Sequence, residues 1–239
     1  MAKILIIQHQ ESVPAAKFGD WLTAAGAEID VLRPDLGQTV PEELTGYDGL
    51  VVLGGTAAPN DDADWEWLPA VRALQRRSTE QHQPNFNICL GAQLNAVAHG
   101  TEVFRRGRPQ VGVMELQVRP EAGQDPVFAA MPEHPKAVLW HQEQIANIPE
   151  GAVYLLEGTD APVQAYRVGE ASWSVQFHPE PDAKLLQRWA DNSEEFLGRA
   201  GRSAEEVIEE FRAQEAEIED SFRPVAEAFL HFIQQRKAG

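Results

Sequence analysis

The chain has 239 residues, enough for one large α/β domain or an ordinary domain with an appendage, and its 43% hydrophobic and 24% charged residues are those of a globular protein. A formal net charge of −17 repels a phosphate backbone on average, which argues against a nucleic-acid partner. One cysteine permits no intramolecular disulfide and no Cys-rich zinc site, and no apolar run approaches the roughly 20 residues that span a bilayer. The expectation is a cytoplasmic protein with no membrane contact, no metal and no cofactor.

Taken in chain order, the first half alternates strand and helix signals. Ile4–Ile7 is a short β-branched run, and Gln8, His9, Gln10 and Glu11 end it too early for a signal peptide. An amphipathic helix is expected from Pro14 to about Ala25, stopped by Gly26. Ile29, Val31 and Leu32 read as a second strand, and Leu50–Leu53 as a third that ends at Gly54-Gly55. A helical pattern runs through Trp67, Leu68, Val71 and Leu74; Phe86–Ile88 is a fourth strand, followed by a helix from about Gly91 to Ala98. Repeated β-α-β units of this kind predict a parallel sheet with helices on both faces.

The middle changes character. Val111–Val118 alternates apolar and polar residues like a half-exposed strand, and Val138–Trp140, Ala152–Leu156 and Ser172–Phe177 are further candidates for a mixed sheet. From about Ser203, apolar residues between Val207 and Ile233 recur at three- and four-residue steps. Ser203 and Glu206 form a capping-box pattern, and Pro224 should break or kink the run into two helices. The prediction is a three-layer α/β fold over residues 1–200, with a mixed, mostly parallel central sheet, and a C-terminal helical appendage over 201–239. That tail either packs on its own domain or offers a helix pair to a partner or second copy.

Three features carry chemistry. In Asn87-Ile88-Cys89-Leu90-Gly91-Ala92-Gln93 a strand enters, a helix leaves and the cysteine stands at the junction, the arrangement of a nucleophile elbow. The helix N-terminus brings partial positive charge to the sulfur, and Gly91 spares a side chain where the turn packs on the sheet. A lone cysteine is otherwise often a buried structural residue. In Gln176-Phe177-His178-Pro179-Glu180, two residues of spacing on an extended stretch let His178 and Glu180 point to one side. An imidazole there can move a proton while the carboxylate fixes its tautomer, although a His-Pro-Glu triplet alone is usually a surface turn. Gly54-Gly55 closes a parallel strand, where backbone N–H groups can approach a developing oxyanion together with the N–H of Leu90. It matches neither the G-x-G-x-x-G nor the G-K-[ST] pattern of nucleotide sites.

Together with Trp140-His141, the order and spacing of these motifs resemble those of the class I glutamine amidotransferases, especially free-standing chains of the GMP-synthase-like branch, over about residues 1–195. The resemblance implies a Cys89–His178–Glu180 triad that releases ammonia from glutamine through a γ-glutamyl thioester. It also implies oxyanion donors at Gly55 (or Gly54) and Leu90, and substrate contacts at Gln93 and His141. The chain departs from the family pattern at Asn87, where glycine is usual, at Glu143, where the pattern has Asp, and at Thr56–Pro59, where a Gly-Gly-Pro run is usual. Ammonia from such a unit passes to a separate synthetase subunit. The alternatives are a self-sufficient hydrolase of γ-glutamyl small molecules and a non-catalytic binding module.

Overall fold

The computed structural model describes residues 1–238. In chain order the strands are β1 (Ala2–Ile7), β2 (Ala27–Leu32), β3 (Gly49–Val52), β4 (Asn85–Ile88), β5 (Val103–Glu115), β6 (Gln117–Val118), β7 (Lys136–Ile145), β8 (Val153–Glu157), β9 (Val163–Val168) and β10 (Ser172–Val175). The α-helices are α1 (Ala16–Ala24), α2 (Leu68–Glu80), α3 (Leu90–Ala98), α4 (Ala183–Asp191), α5 (Glu194–Ala200) and α6 (Ala204–Ala238).

Eight strands form the central sheet in the order β2-β1-β3-β4-β10-β9-β8-β6. Pairings from β2 to β10 are parallel and those from β10 to β6 antiparallel, so the expected mixed, mostly parallel sheet is present. Strand periodicity explains the layers. Ile4, Ile6, Val51, Phe86, Ile88, Trp173 and Val175 face a core shared with α1, α4 and α6. Leu5, Ile7, Leu50 and Val52 point the other way, against α2 and α3. Both faces are covered, as a parallel sheet requires.

The middle segment differs from its sequence reading. Val111–Val118 is not one strand: it divides at Leu116, whose N–H donates to Pro135 O at 2.8 Å. Upstream, β5 pairs with β7 as a separate two-stranded antiparallel sheet, and downstream β6 joins the central sheet. Val138–Trp140, expected in the mixed sheet, therefore belongs to the small one. The β5–β7 register shifts between Arg105 and Gln110, where Pro109 has no N–H to give the ladder.

The tail is one helix, not two. Pro224 lies within α6 and removes one backbone hydrogen bond, yet Phe222, Val225, Ala226 and Phe229 around it are all buried. Burial of that face anchors both halves to the same core, which offsets the local loss. Phe229 packs on Phe86 and Trp173, with ring centroids 5.5 and 5.9 Å apart. Among the described residues no helix is long and apolar enough to cross a membrane.

Phe229→Ala is expected to destabilise the protein by about 3–5 kcal/mol in denaturant unfolding. A loss below about 1 kcal/mol would exclude α6 from the cooperative core.

Candidate active site

The parallel strands β1, β3, β4 and β10 bring their carboxyl ends to one rim, where open α/β sheets hold their ligands. Cys89 follows β4 and precedes α3 there, with φ 50° and ψ −105°, a left-handed main chain that side-chain-bearing residues rarely adopt. Its N–H donates to Val175 O at 2.8 Å, and its own carbonyl accepts from Gln93 N at 2.9 Å, the first bond of α3. The N–H groups of Leu90, Gly91 and Ala92 thus have no acceptor within the helix, and the sulfur lies over that end. The turn is this tight because Gly91 has no side chain: a Cβ there would stand 2.2 Å from Val52 O.

His178 and Glu180 follow β10. The Nδ1 of His178 donates to Glu180 Oε1 at 2.6 Å, and both residues are buried. The backbone N–H of His178 donates to Val138 O at 2.8 Å and that of Lys17 to Glu180 O at 3.0 Å, which fastens the motif to β7 and α1. Burial by itself would lower the His178 pKa. The charge of Glu180 and then the neighbouring Cys89 sulfur overcome it, holding the imidazole well above 6.5.

The glycine pair lies between these groups. A Cβ on Gly54 would come 2.9 Å from His178 Cε1 and 3.5 Å from Cys89 Cβ, and one on Gly55 would come 2.8 Å from Leu90 Cδ2. Side chains here would displace the imidazole and the elbow. Gln93 and His141 line the same cavity as Cys89, a space of about 200 Å³ that also touches Arg105 and Glu143. His141 Nδ1 donates to Glu143 O at 2.9 Å, so its Nε2 is a bare acceptor; burial pushes its pKa down to about 3 and keeps it neutral. Gln93 Nε2 donates to the same carbonyl at 3.1 Å. Cys89, His178, Glu180, Gly54, Gly55, Leu90, Gln93 and His141 thus converge on one rim. Among the described residues no group of three or more His, Cys, Asp or Glu side chains could hold a metal ion.

A family model of glutamine amidotransferase class-I matches residues 20–189. The chain belongs to that family. It is 32% identical over 161 residues, 66% of this chain and 74% of the relative, to a subunit of the glutamine-hydrolyzing GMP synthase from Thermoplasma volcanium. It is 26% identical to the gamma-glutamyl peptidase 4 of Arabidopsis thaliana over 151 residues, 61% of this chain and 59% of that one. The crystal structure of a glutamine amido transferase from Methylobacillus flagellatus superposes with a TM-score of 0.87 at 28% identity, covering 97% of this chain and 95% of that one.

In this class I amidotransferase, Asn87 takes the place of the usual elbow glycine without entering the cavity. It points beneath α3, where its Nδ2 donates to Asn85 Oδ1 and to Trp173 O, both at 2.9 Å, and its Oδ1 accepts from Gln75 Nε2 at 2.8 Å. Gln75 Nε2 also donates to Gly91 O at 2.8 Å. Ser172 Oγ donates to Asn85 Oδ1 at 2.6 Å, Asn95 Nδ2 donates to Ser172 Oγ at 3.1 Å, and Tyr166 OH donates to Ala92 O at 2.9 Å. The elbow therefore rests on a buried polar network, and each bond left unmade there would cost on the order of 1–3 kcal/mol. The alternations Asn-Phe-Asn-Ile and Ser-Trp-Ser-Val were its only trace in the sequence.

The sequence assigns no role to three further residues of the site, although Gln176 opens the motif that holds His178. Gln176 Nε2 lies 3.8 Å from Cys89 Sγ, Trp189 meets the His178 ring edge-on at 4.9 Å, and Trp67 Nε1 donates to the buried His9 at 3.1 Å behind Gly55. Trp189 sits on α4, a helix the sequence reading did not anticipate.

Gly91→Ala is expected to lose at least about 3 kcal/mol of stability in urea unfolding, because the backbone oxygen it meets cannot move aside. Gly123→Ala, with nothing within 4 Å of its Cβ, is the control and should change little. Equal behaviour of the two variants would refute the packing account of the elbow.

Proposed function

We propose that this chain hydrolyses the γ-carboxamide of glutamine through a γ-glutamyl thioester on Cys89. The observation that carries the reading is the buried His178 imidazole, held by Glu180 at 2.6 Å and set beside the sulfur of a strained strand-to-helix turn. Nucleophile, proton carrier and orienting carboxylate are then in working order.

The sulfur attacks the amide carbon with the catalytic proton already held on His178. The carbonyl oxygen gathers charge beside the N–H groups of Leu90 and Gly55 (or Gly54). His178 gives the proton to the amide nitrogen, the C–N bond breaks and ammonia leaves. Water then adds to the thioester carbon, His178 accepts its proton, and the C–S bond breaks to release glutamate and leave the sulfur beside protonated His178 again. Gln93 and His141 contact the glutamyl group, with His141 Nε2 accepting from a donor such as the α-ammonium. We read residues 1–200 as the amidotransferase unit and the tail from 201, whose helix is α6 (Ala204–Ala238), as a brace on it. Ammonia passes to an acceptor on a separate synthetase subunit; the Thermoplasma volcanium relative is itself called a subunit, which supports a partner of that kind.

Cys89→Ala should lower glutamine hydrolysis by several powers of ten, on the order of the loss when a catalytic unit is dismantled, and should take no label from an electrophilic glutamine analogue. Wild-type turnover in that variant would sink the mechanism. For the parent enzyme, kcat/KM is expected to hold through neutral pH and to fall on the alkaline side, where the raised His178 pKa is finally passed and no proton remains for the leaving nitrogen. Glu180→Gln removes the charge that does most to raise that pKa, so the alkaline fall should move to lower pH. An unmoved profile would leave Glu180 without its orienting role.

A further inference from the structure

We infer that the cavity beyond His178 is a leaving-group subsite, and that the chain also cleaves γ-glutamyl amides whose departing amine carries an aromatic ring. The inference rests on the acyl-transfer chemistry proposed above and adds a substrate class to it.

Two cavities meet at the rim. The smaller, about 200 Å³, contains Cys89 and the residues that would surround a glutamyl group. The larger, about 560 Å³, contains His178, Arg188, Trp189 and Asn192 and does not reach Cys89. Gly55, Thr56, Trp140 and Ser193 border both. Nucleophile and proton carrier thus open onto different spaces. An amide whose carbonyl carbon sits over the sulfur must turn its nitrogen toward His178 to be protonated. Any substituent on that nitrogen then extends into the larger cavity.

Ammonia needs no such room. One water-sized molecule occupies about 30 Å³, whereas the larger cavity falls in the range of sites for small organic ligands. Its walls specify the ligand further. The Trp189 indole is fixed by its N–H donating to Ser12 O at 2.7 Å, and the Trp140 ring lies 5.9 Å from it. The two indoles pack on each other, so a substrate ring would lie against this aromatic wall and not between its members. Arg188 makes no ion pair among the described residues, which leaves its planar guanidinium free to stack on the same ring. Glu11 is the acidic side chain in this lining, and it is exposed.

The test compares γ-glutamylbenzylamide with γ-glutamylmethylamide, two alkyl amides that differ in the ring. The benzylamide is expected to show about tenfold higher kcat/KM, the size of effect a well-placed aromatic contact supplies. Asn192→Trp, which fills the larger cavity from its edge, should bring the ratio of the two close to one. Equal rates in the parent enzyme, or a ratio that Asn192→Trp leaves untouched, would overturn the subsite and leave the cleft to a protein partner. If neither amide nor glutamine is turned over, the acyl-enzyme reading itself has failed, and calorimetric binding to Cys89→Ser protein decides the subsite separately. There, tighter binding of the benzylamide that Asn192→Trp abolishes supports it, and equal affinities reject it.

Discussion

The backward bend of the main chain at Cys89 is the constraint on which the rest of this rim depends. A residue with a side chain is held at φ 50°, at a cost of order 1–3 kcal/mol, and persists there because its surroundings leave no alternative. On one side β4 is paired in parallel to both β3 and β10; on the other, α3 is drawn onto the sheet until Gly91 touches Val52 O. The buried amides of Gln75, Asn85 and Asn87 hold strand and helix together from below. An asparagine where relatives of this kind usually have glycine therefore serves the elbow from its hidden face and leaves the cavity its room.

Electrostatics at the rim follows from burial. His178 and Glu180 are withdrawn from water in a strongly acidic chain, so the imidazole answers chiefly to the carboxylate at 2.6 Å and to the sulfur beside it. His141 is equally buried but meets a carbonyl instead of a carboxylate, and stays neutral. Two histidines of one site are thus held in opposite charge states by the partner each ring finds. The bridge from His178 to Val138 also ties the motif to the small β5–β7 sheet, which supplies the wall carrying His141 and Glu143.

The long terminal helix belongs to the same physical unit as the rim. Its apolar face joins the core beneath β1, β4 and β10, and the Lys17 ammonium bridges Glu215 and Glu219 at 3.0 and 2.8 Å. Such partly exposed ion pairs add little on their own, so burial of the phenylalanines does most to hold the helix. A proline that disfavours a free helix is carried because the residues flanking it have nowhere better to go.

The amino-acid sequence by itself determined the layers, because strand and helix periods are local and the apolar runs Ile4–Ile7, Leu50–Leu53 and Phe86–Ile88 are each short and broken within a few residues by Gln8, Gly54 or Gly91. It also placed Cys89 at a strand-to-helix junction and His178 two residues from Glu180, since both patterns lie within a few residues. The division of 103–118 between two sheets, the unbroken helix through Pro224, and the polar network under Asn87 were decided only in the tertiary structure. So were the positions of Trp189 and Gln176 beside the site, and the separation of the two cavities. Each of these depends on contacts between segments far apart in the chain. A residue's partner across such a distance is set by how whole layers pack, and no local period records it.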